Sequence, residues 1–321
     1  MSAVWRLRAC AISILLSGSP AFAQPKTVAI TVDDLPFAGG MLSHRAAPAP
    51  ADQAKTVNGR LLAAFSARHI PVTGFVIQHG VELLPPESGT RILEEWVSRG
   101  FDLGNHTYSH PDINELTVEQ FQEDIVRGES TIARLLKEAG KKLEFFRFPM
   151  NHTGETKEKH DAIAKFLSEH KYQLAACTID SSDYVFNDAY VKMLMSHEER
   201  SAERLRAEYL AYTSKEIDYY ASLNKRVFGY EVSQVMLLHD NWLNADTIDE
   251  VLGLFEEKGY QFVSLSAAEA DPAYRTPETY ITPYGPMWGY RWAKARGVRV
   301  NGHLEAEVPR WVTEYKPGSE N

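Results

Sequence analysis

Thr27-Val28-Ala29-Ile30-Thr31-Val32-Asp33-Asp34 is the stretch from which the fold can be read. Six residues, mostly β-branched and apolar, make a short buried strand. The strand ends in two carboxylates, and Leu35-Pro36 and Gly39-Gly40 then read as a loop. The same grammar recurs downstream. Spacing through Val57, Leu61, Leu62 and Phe65 predicts a helix over 53–68, and Val72 to Ile77 is the next strand. A helix over 89–99 stops at Gly100, and a short strand over 101–103 runs into Asn105-His106-Thr107-Tyr108-Ser109-His110-Pro111. Thr117 and Gln120 form a capping-box pattern opening a long helix to about Ala139. Strands over 143–148, 172–179, 235–238 and 261–265 follow, interleaved with helices over 156–169 and 245–258. Such alternation predicts a parallel sheet or an α/β barrel. The polar clusters fall just after strands, on the face where barrels carry their active sites.

Composition agrees with a globular chain. The 321 residues are 44% hydrophobic, 24% charged and 11% aromatic, enough for a sizeable core. A formal charge of -9 without a basic patch argues against nucleic acid or an anionic membrane as partner. The N-terminus reads as a secretory signal: Arg6 and Arg8, an apolar run from Ala9 to Leu16, and Ala21-Phe22-Ala23 as the cleavage site. Residues 1–23 are therefore expected to be removed, giving an exported, periplasmic or secreted protein with no membrane span. Cys10 leaves with the signal, so Cys177 is the one remaining thiol and no internal disulfide is expected. Its apolar neighbours mark Cys177 as a small core residue rather than a nucleophile.

Two regions depart from the alternation. Residues 188–224 are long, charged and helical, and read as an insertion over or beside the site. The tail 271–321 is rich in Pro, Gly, Tyr and Trp without clear periodicity; it is expected to wrap the domain, anchored by Trp288, Trp292 and Trp311. The expected organisation is thus a signal (1–23), one catalytic domain (24–270) and a C-terminal extension (271–321).

Five clusters can carry chemistry. His106 and His110 stand four residues apart, a spacing at which two neutral imidazoles can face one ion. Asp33 and Asp34 can supply an anionic ligand and a group that takes a proton from water, although an Asx-type turn would use the same residues. Arg147, before Phe148-Pro149, can hold a carboxylate by a bidentate bond or make a structural ion pair. Asp183 and His239 both follow strands, and a His–Asp pair is a standard way to orient an imidazole and raise its pKa. The other histidines take the default structural or surface reading.

Taken together and in this order, Thr31-Val32-Asp33-Asp34, His106-Thr107-Tyr108-Ser109-His110, Arg147-Phe148-Pro149, Asp180-Ser181-Ser182-Asp183-Tyr184 and Leu237-Leu238-His239-Asp240 resemble the five motifs of the polysaccharide deacetylase (NodB-homology, carbohydrate esterase family 4) superfamily. The resemblance covers roughly 27–265. It implies a distorted (β/α) barrel, usually of fewer than eight strands, here with the helical insertion and the irregular tail added. It implies that Asp33 is the general base and that Asp34, His106 and His110 bind one divalent ion, zinc first, with cobalt, nickel and manganese as alternatives. Arg147 would orient Asp33, Asp183 would tune His239 as general acid, and Tyr184 and Leu237 would line the acetyl pocket. The implied activity is removal of acetyl groups from an N- or O-acetylated glycan. Amide or cyclic-imide hydrolysis on the same fold, and non-catalytic glycan binding, are the competing readings. The chain departs from the family pattern at Val32, Leu35-Pro36, Met150-Asn151 and Tyr184, all of which bear on the cleft wall and hence on substrate.

Overall fold

The computed structural model describes residues 25–39 and 49–318; the expected signal segment lies outside them. Eight strands are found among these residues: β1 (Lys26–Leu35), β2 (Val72–Val76), β3 (Asp102–Asn105), β4 (Phe145–Phe146), β5 (Gln173–Leu174), β6 (Ile179–Asp180), β7 (Gln234–His239) and β8 (Tyr260–Phe262). All pair in parallel, in the order β5-β4-β3-β2-β1-β7-β6, with β8 joined to the first residues of β1. Helices flank this curled sheet, as a distorted (β/α) barrel of the NodB type requires. β1 is an interior strand paired with β2, β7 and β8, and Val28, Ala29, Ile30 and Val32 are fully buried, as an apolar β-branched run should be.

Local signals set most helix ends. Thr117 and Gln120 make the reciprocal capping box, Thr156 accepts from Lys159 N, and Asn241 accepts from Asn244 N; each satisfies a backbone donor that the first helical turn leaves open. Pro50 begins the helix Pro50–Ala67, where its missing N–H costs nothing. That helix packs against Ser88–Ser98 and Trp242–Glu257. Trp96 fills the space between them and meets the rings of Phe65 and Phe101, while its indole N–H donates to Asn58 Oδ1 at 2.7 Å.

Three sequence expectations need correction. The long helix from Thr117 is two helices, Val118–Gly128 and Ile132–Glu138, broken at Glu129-Ser130-Thr131. The reason lies at Gly128: a Cβ there would come within 2.4 Å of Asn105 Oδ1 and 2.8 Å of the Thr107 carbonyl carbon, so the helix end is pressed onto the histidine loop. The single strand over 172–179 is a bent segment whose start pairs with β4 and whose end pairs with β7. Ala175 N donates to Phe146 O at 2.8 Å and Thr178 N to Val235 O at 3.0 Å, so residues 173–180 link the two flanks of the sheet. The insertion is not confined to 188–224: its helices are Asp183–Met195 and Glu199–Phe228, and the first begins within the fourth cluster itself.

The tail also holds more order than its composition suggests. The helix Trp288–Ala295 packs on Glu199–Phe228. Trp288 and Trp292 are buried, and Trp311 is partly buried beneath the Arg204 guanidinium, 4.3 Å from the ring centre. Cys177 is fully buried, and burial pushes its thiol up to about 12, so it is a protonated core residue. No helix among the described residues is long and apolar enough to cross a membrane.

Candidate active site

Asp33 and Asp34 are neighbours on one strand, and regular β alternation would point them to opposite faces. The register of β1 with β2 shifts between Val32 and Leu35, and Asp34 takes φ +66°. This bulge aims both carboxylates into one cavity. On the other side of β1, Asp33 pairs in register with His239 of β7, and Thr31 with Leu237. Two of the five clusters are therefore adjacent because of sheet register alone.

The histidine stretch follows β3 as a tight loop rather than a helical turn. Thr107 and His110 have positive φ, +71° and +56°, which non-glycine residues adopt only when the surroundings hold them. Asp124 does much of the holding. Its Oδ2 accepts from the backbone N–H groups of Tyr108 and Ser109, both at 3.0 Å, and its Oδ1 accepts from Ser109 Oγ at 2.9 Å. Thr107 Oγ1 accepts from His110 N at 3.0 Å. The two imidazoles end with centroids 4.9 Å apart.

His106 Nδ1 lies 2.9 Å from the Arg147 carbonyl oxygen, which can only accept. Nδ1 therefore carries the proton, and Nε2 keeps a lone pair. That Nε2 is 3.4 Å from Asp34 Oδ1, and His110 Nε2 is 3.5 Å from the same oxygen. Asp34 Oδ1 is buried and has no hydrogen-bond partner. Burial alone would raise the Asp34 carboxyl, but the imidazoles of His106, His239 and His110 reverse this and hold it well below the usual carboxylate range. His110 is shifted down, by burial and by His106 beside it, and so favours the neutral form that ligates metals. The three candidate ligand atoms lie within 4.8 Å of one another. Electron pairs converging on a point with no donor between them fit a divalent cation.

Asp33 is handled differently. Arg147 Nη1 donates to Asp33 Oδ1 at 2.8 Å and to Thr31 Oγ1 at 2.7 Å, while Arg147 Nε donates to Ala175 O at 3.3 Å. The guanidinium is fully buried and lies 4.2 Å from the Phe75 ring centre. This fixes Asp33 Oδ1 and leaves Oδ2 turned towards the cluster, 3.7 Å from His106 Nε2.

His239 completes the cavity. Its Nδ1 is 2.6 Å from Asp183 Oδ1, and its backbone N donates to Asp183 Oδ2 at 2.7 Å. Burial would lower the imidazole pKa; the Asp183 charge and hydrogen bond outweigh it, pushing the group up to about 10. Asn244 Nδ2 donates to Asp183 Oδ2 and, at 2.8 Å, to His239 O. Tyr209, on the helix Glu199–Phe228, donates to Asn244 Oδ1 at 2.8 Å. The insertion thus buttresses the pair from behind. Tyr184 meets the His239 ring edge to face at 5.7 Å and is half exposed, and Leu237 is buried beside it.

All nine candidate residues come together. Seven line one cavity of about 480 Å³, with Arg147 and Asp183 immediately behind it. Sequence reading missed several others. Asp180 lines the cavity, and burial, with Asp183 nearby, pushes its carboxyl up to about 6. His152 lines it too, next to Met150 and Asn151, which the sequence had placed on the cleft wall, and Gly285 and Met287 come from the tail. Asp124 and Tyr209 from helix interiors and Asn244 from a first helical turn support the site, and a polar residue there carries no signal of its own.

Residues 22–172 match the family described as polysaccharide deacetylase. That match spans just under half of the chain, and it supports the polysaccharide deacetylase resemblance of the five clusters. A peptidoglycan-N-acetylglucosamine deacetylase from Bacillus cereus is 25% identical over 125 residues, 39% of this chain and 40% of that protein. The aligned part thus spans about two fifths of that relative's length. Among solved structures, the Bc1960 peptidoglycan N-acetylglucosamine deacetylase superposes with a TM-score of 0.51 at 18% identity, covering 76% of this chain and 88% of that one. The polysaccharide deacetylase Bc1974 from Bacillus cereus gives 0.50 at 17%, covering 74% and 91%. A mutant of BA3943, a CE4 family pseudoenzyme from Bacillus anthracis with restored enzymatic activity in that mutant, gives 0.50 at 16%, covering 77% and 68%. Likeness at this level of identity shows a shared fold.

Proposed function

We propose that this chain is an exported, metal-dependent hydrolase of the polysaccharide deacetylase superfamily that removes acetyl groups from an N- or O-acetylated carbohydrate. The observation that carries the proposal is the convergence of Asp33, the Asp34–His106–His110 cluster and the His239–Asp183 pair on one cavity. A divalent ion, zinc first among the candidates, would be held by Asp34, His106 and His110 and would supply Lewis acidity to the acyl carbonyl and the attacking water. Asp33, pinned at Oδ1 by Arg147, presents Oδ2 to take a proton from that water. His239, kept protonated by Asp183, delivers a proton from Nε2 to the departing amine or alkoxide. Leu237 and Tyr184 offer an apolar surface for the acetyl methyl. Residues 24–270 are proposed as the catalytic domain and 271–321 as an extension packed on it. Export is supported by the Arg6/Arg8, Ala9–Leu16 and Ala21-Phe22-Ala23 pattern.

Amide or cyclic-imide hydrolysis would use the same groups, and a substrate panel separates it from deacetylation. Retention of every acid, base and ligand group argues against a purely binding role. The direct test measures metal content and acetate release on the purified protein, before and after chelation, for wild type and His106→Ala. About one ion per chain is expected, with activity lost on chelation, restored by zinc or cobalt and absent in the variant. Full activity in the metal-free protein would sink the proposal.

A further inference from the structure

A second imidazole in the cavity is oriented by a carboxylate. His152 lines the same space as His239, and its Nδ1 lies 2.9 Å from Asp112 Oδ1. The carboxylate oxygen can only accept, so this contact fixes the ring through Nδ1 and leaves Nε2 as the ring nitrogen outside it. The backbone around it is held in an uncommon shape. Met150 and Asn151 both have φ +54°. Arg291, buried on the tail helix, donates to Asn151 O at 2.7 Å and to Thr153 Oγ1 at 2.9 Å, gripping the chain on either side of His152.

The tail is tied to the same point. Arg291 Nε donates to Pro286 O at 3.0 Å, and Asn114 Nδ2, in contact with His152 Nδ1, donates to Pro283 O at 3.0 Å. Gly285 lies so close to Met150 O that a Cβ would come within 1.8 Å of it. Pinned at both ends, this segment presents Tyr284 almost fully to solvent, 73% exposed, with Met150 also exposed. An exposed tyrosine and methionine beside a fixed imidazole combine an apolar face with a directional polar group. A pyranose has that same pairing, C–H faces bordered by hydroxyl donors.

We propose that His152 and the segment 282–287 form a sugar-binding wall of the cleft. His152 Nε2 makes a hydrogen bond with a ring hydroxyl, and Tyr284 stacks on the neighbouring pyranose of a glycan at least two residues long. This rests on the deacetylase reading for its substrate class. It adds that the tail decides which glycan is bound, with Arg291 as the positioning residue.

The test compares tetra-N-acetylchitotetraose with 4-nitrophenyl acetate, which has no sugar to reach the wall. In His152→Ala and Tyr284→Ala, kcat/KM for the tetrasaccharide falls about tenfold relative to the aryl ester, through KM. His152→Gln, which keeps a polar side chain in place, covers the case in which His152→Ala does not fold. A parallel fall on both substrates, or an unchanged KM, overturns the proposal. Binding is read separately by calorimetry in an Asp33→Asn background. Weakening of tetra-N-acetylchitotetraose by about tenfold on adding His152→Ala supports the wall even if no substrate is turned over, in which event only the hydrolase reading fails. Equal affinity, or no binding by the Asp33→Asn parent, overturns it.

Discussion

His106 and His239 face one cavity from strands on the two sides of β1, and each has its Nδ1 fixed. The difference lies in what fixes it. His106 gives its proton to a neutral backbone carbonyl. His239 donates a hydrogen bond to the Asp183 carboxylate, keeps its proton and is pushed up to about 10. A carbonyl orients an imidazole without charging it, which suits a ligand; a carboxylate orients it and stabilises the cation, which suits an acid. One residue type is given two jobs by the atom behind the ring.

The sharpest way to break this contrast is to remove each ring in turn. His239→Ala should lower kcat for acetate release by about 10²–10⁴ while one ion per chain stays bound, and His106→Ala should lose the ion along with activity. Metal analysis beside kinetics decides; loss of the ion from both variants would dissolve the distinction. Asp183→Asn tests the charge itself. Acid catalysis needs the protonated imidazole, and its pKa is raised by Asp183, so activity is retained below that pKa and lost as pH rises through it. The variant should shift the alkaline limb of the pH–rate profile to lower pH; an unmoved limb would show that another group sets it.

Gly128→Ala strikes the other half. A methyl forced against Asn105 and Thr107 should displace the histidine loop, lower metal affinity by about 10–100-fold and cost about 1–3 kcal/mol of stability. Metal titration and thermal unfolding check both, and the alkaline limb should stay where it is. The smallest effect is expected from Asn244→Ala, which removes one donor from Asp183 and one from the His239 carbonyl. A loss of about tenfold in kcat with metal content unchanged is expected.

The candidate site was legible because its residues stand at strand ends. An apolar run that stops at Asp33-Asp34, at Arg147 or at His239-Asp240 shows where the core ends and the cavity begins. What brings those ends together was less legible. Ala175-Ala176-Cys177-Thr178 are small residues, buried throughout, and nothing in their composition distinguishes a straight strand from one that bends to meet both flanks of the sheet. Ser130 and Thr131 are compatible with helix, so the break after Gly128 is set by a contact 23 residues back in sequence, at Asn105. His152 carries no motif, and its partner Asp112 and the tail segment that accompanies it are brought near by tertiary structure alone.

The pairing of β1 with β7 has a consequence for assembly. Its hydrogen bond from Thr31 to the β7 carbonyl of Met236 joins residues 205 apart in sequence, whereas β2 begins at Val72. Closing so long a loop before its contacts can repay the entropy makes this pairing slow. Asp34, His106 and His110 all leave the ribosome well before His239. A growing chain therefore holds all three proposed metal ligands while it still lacks the proposed acid, and the cavity becomes complete only when β7 docks.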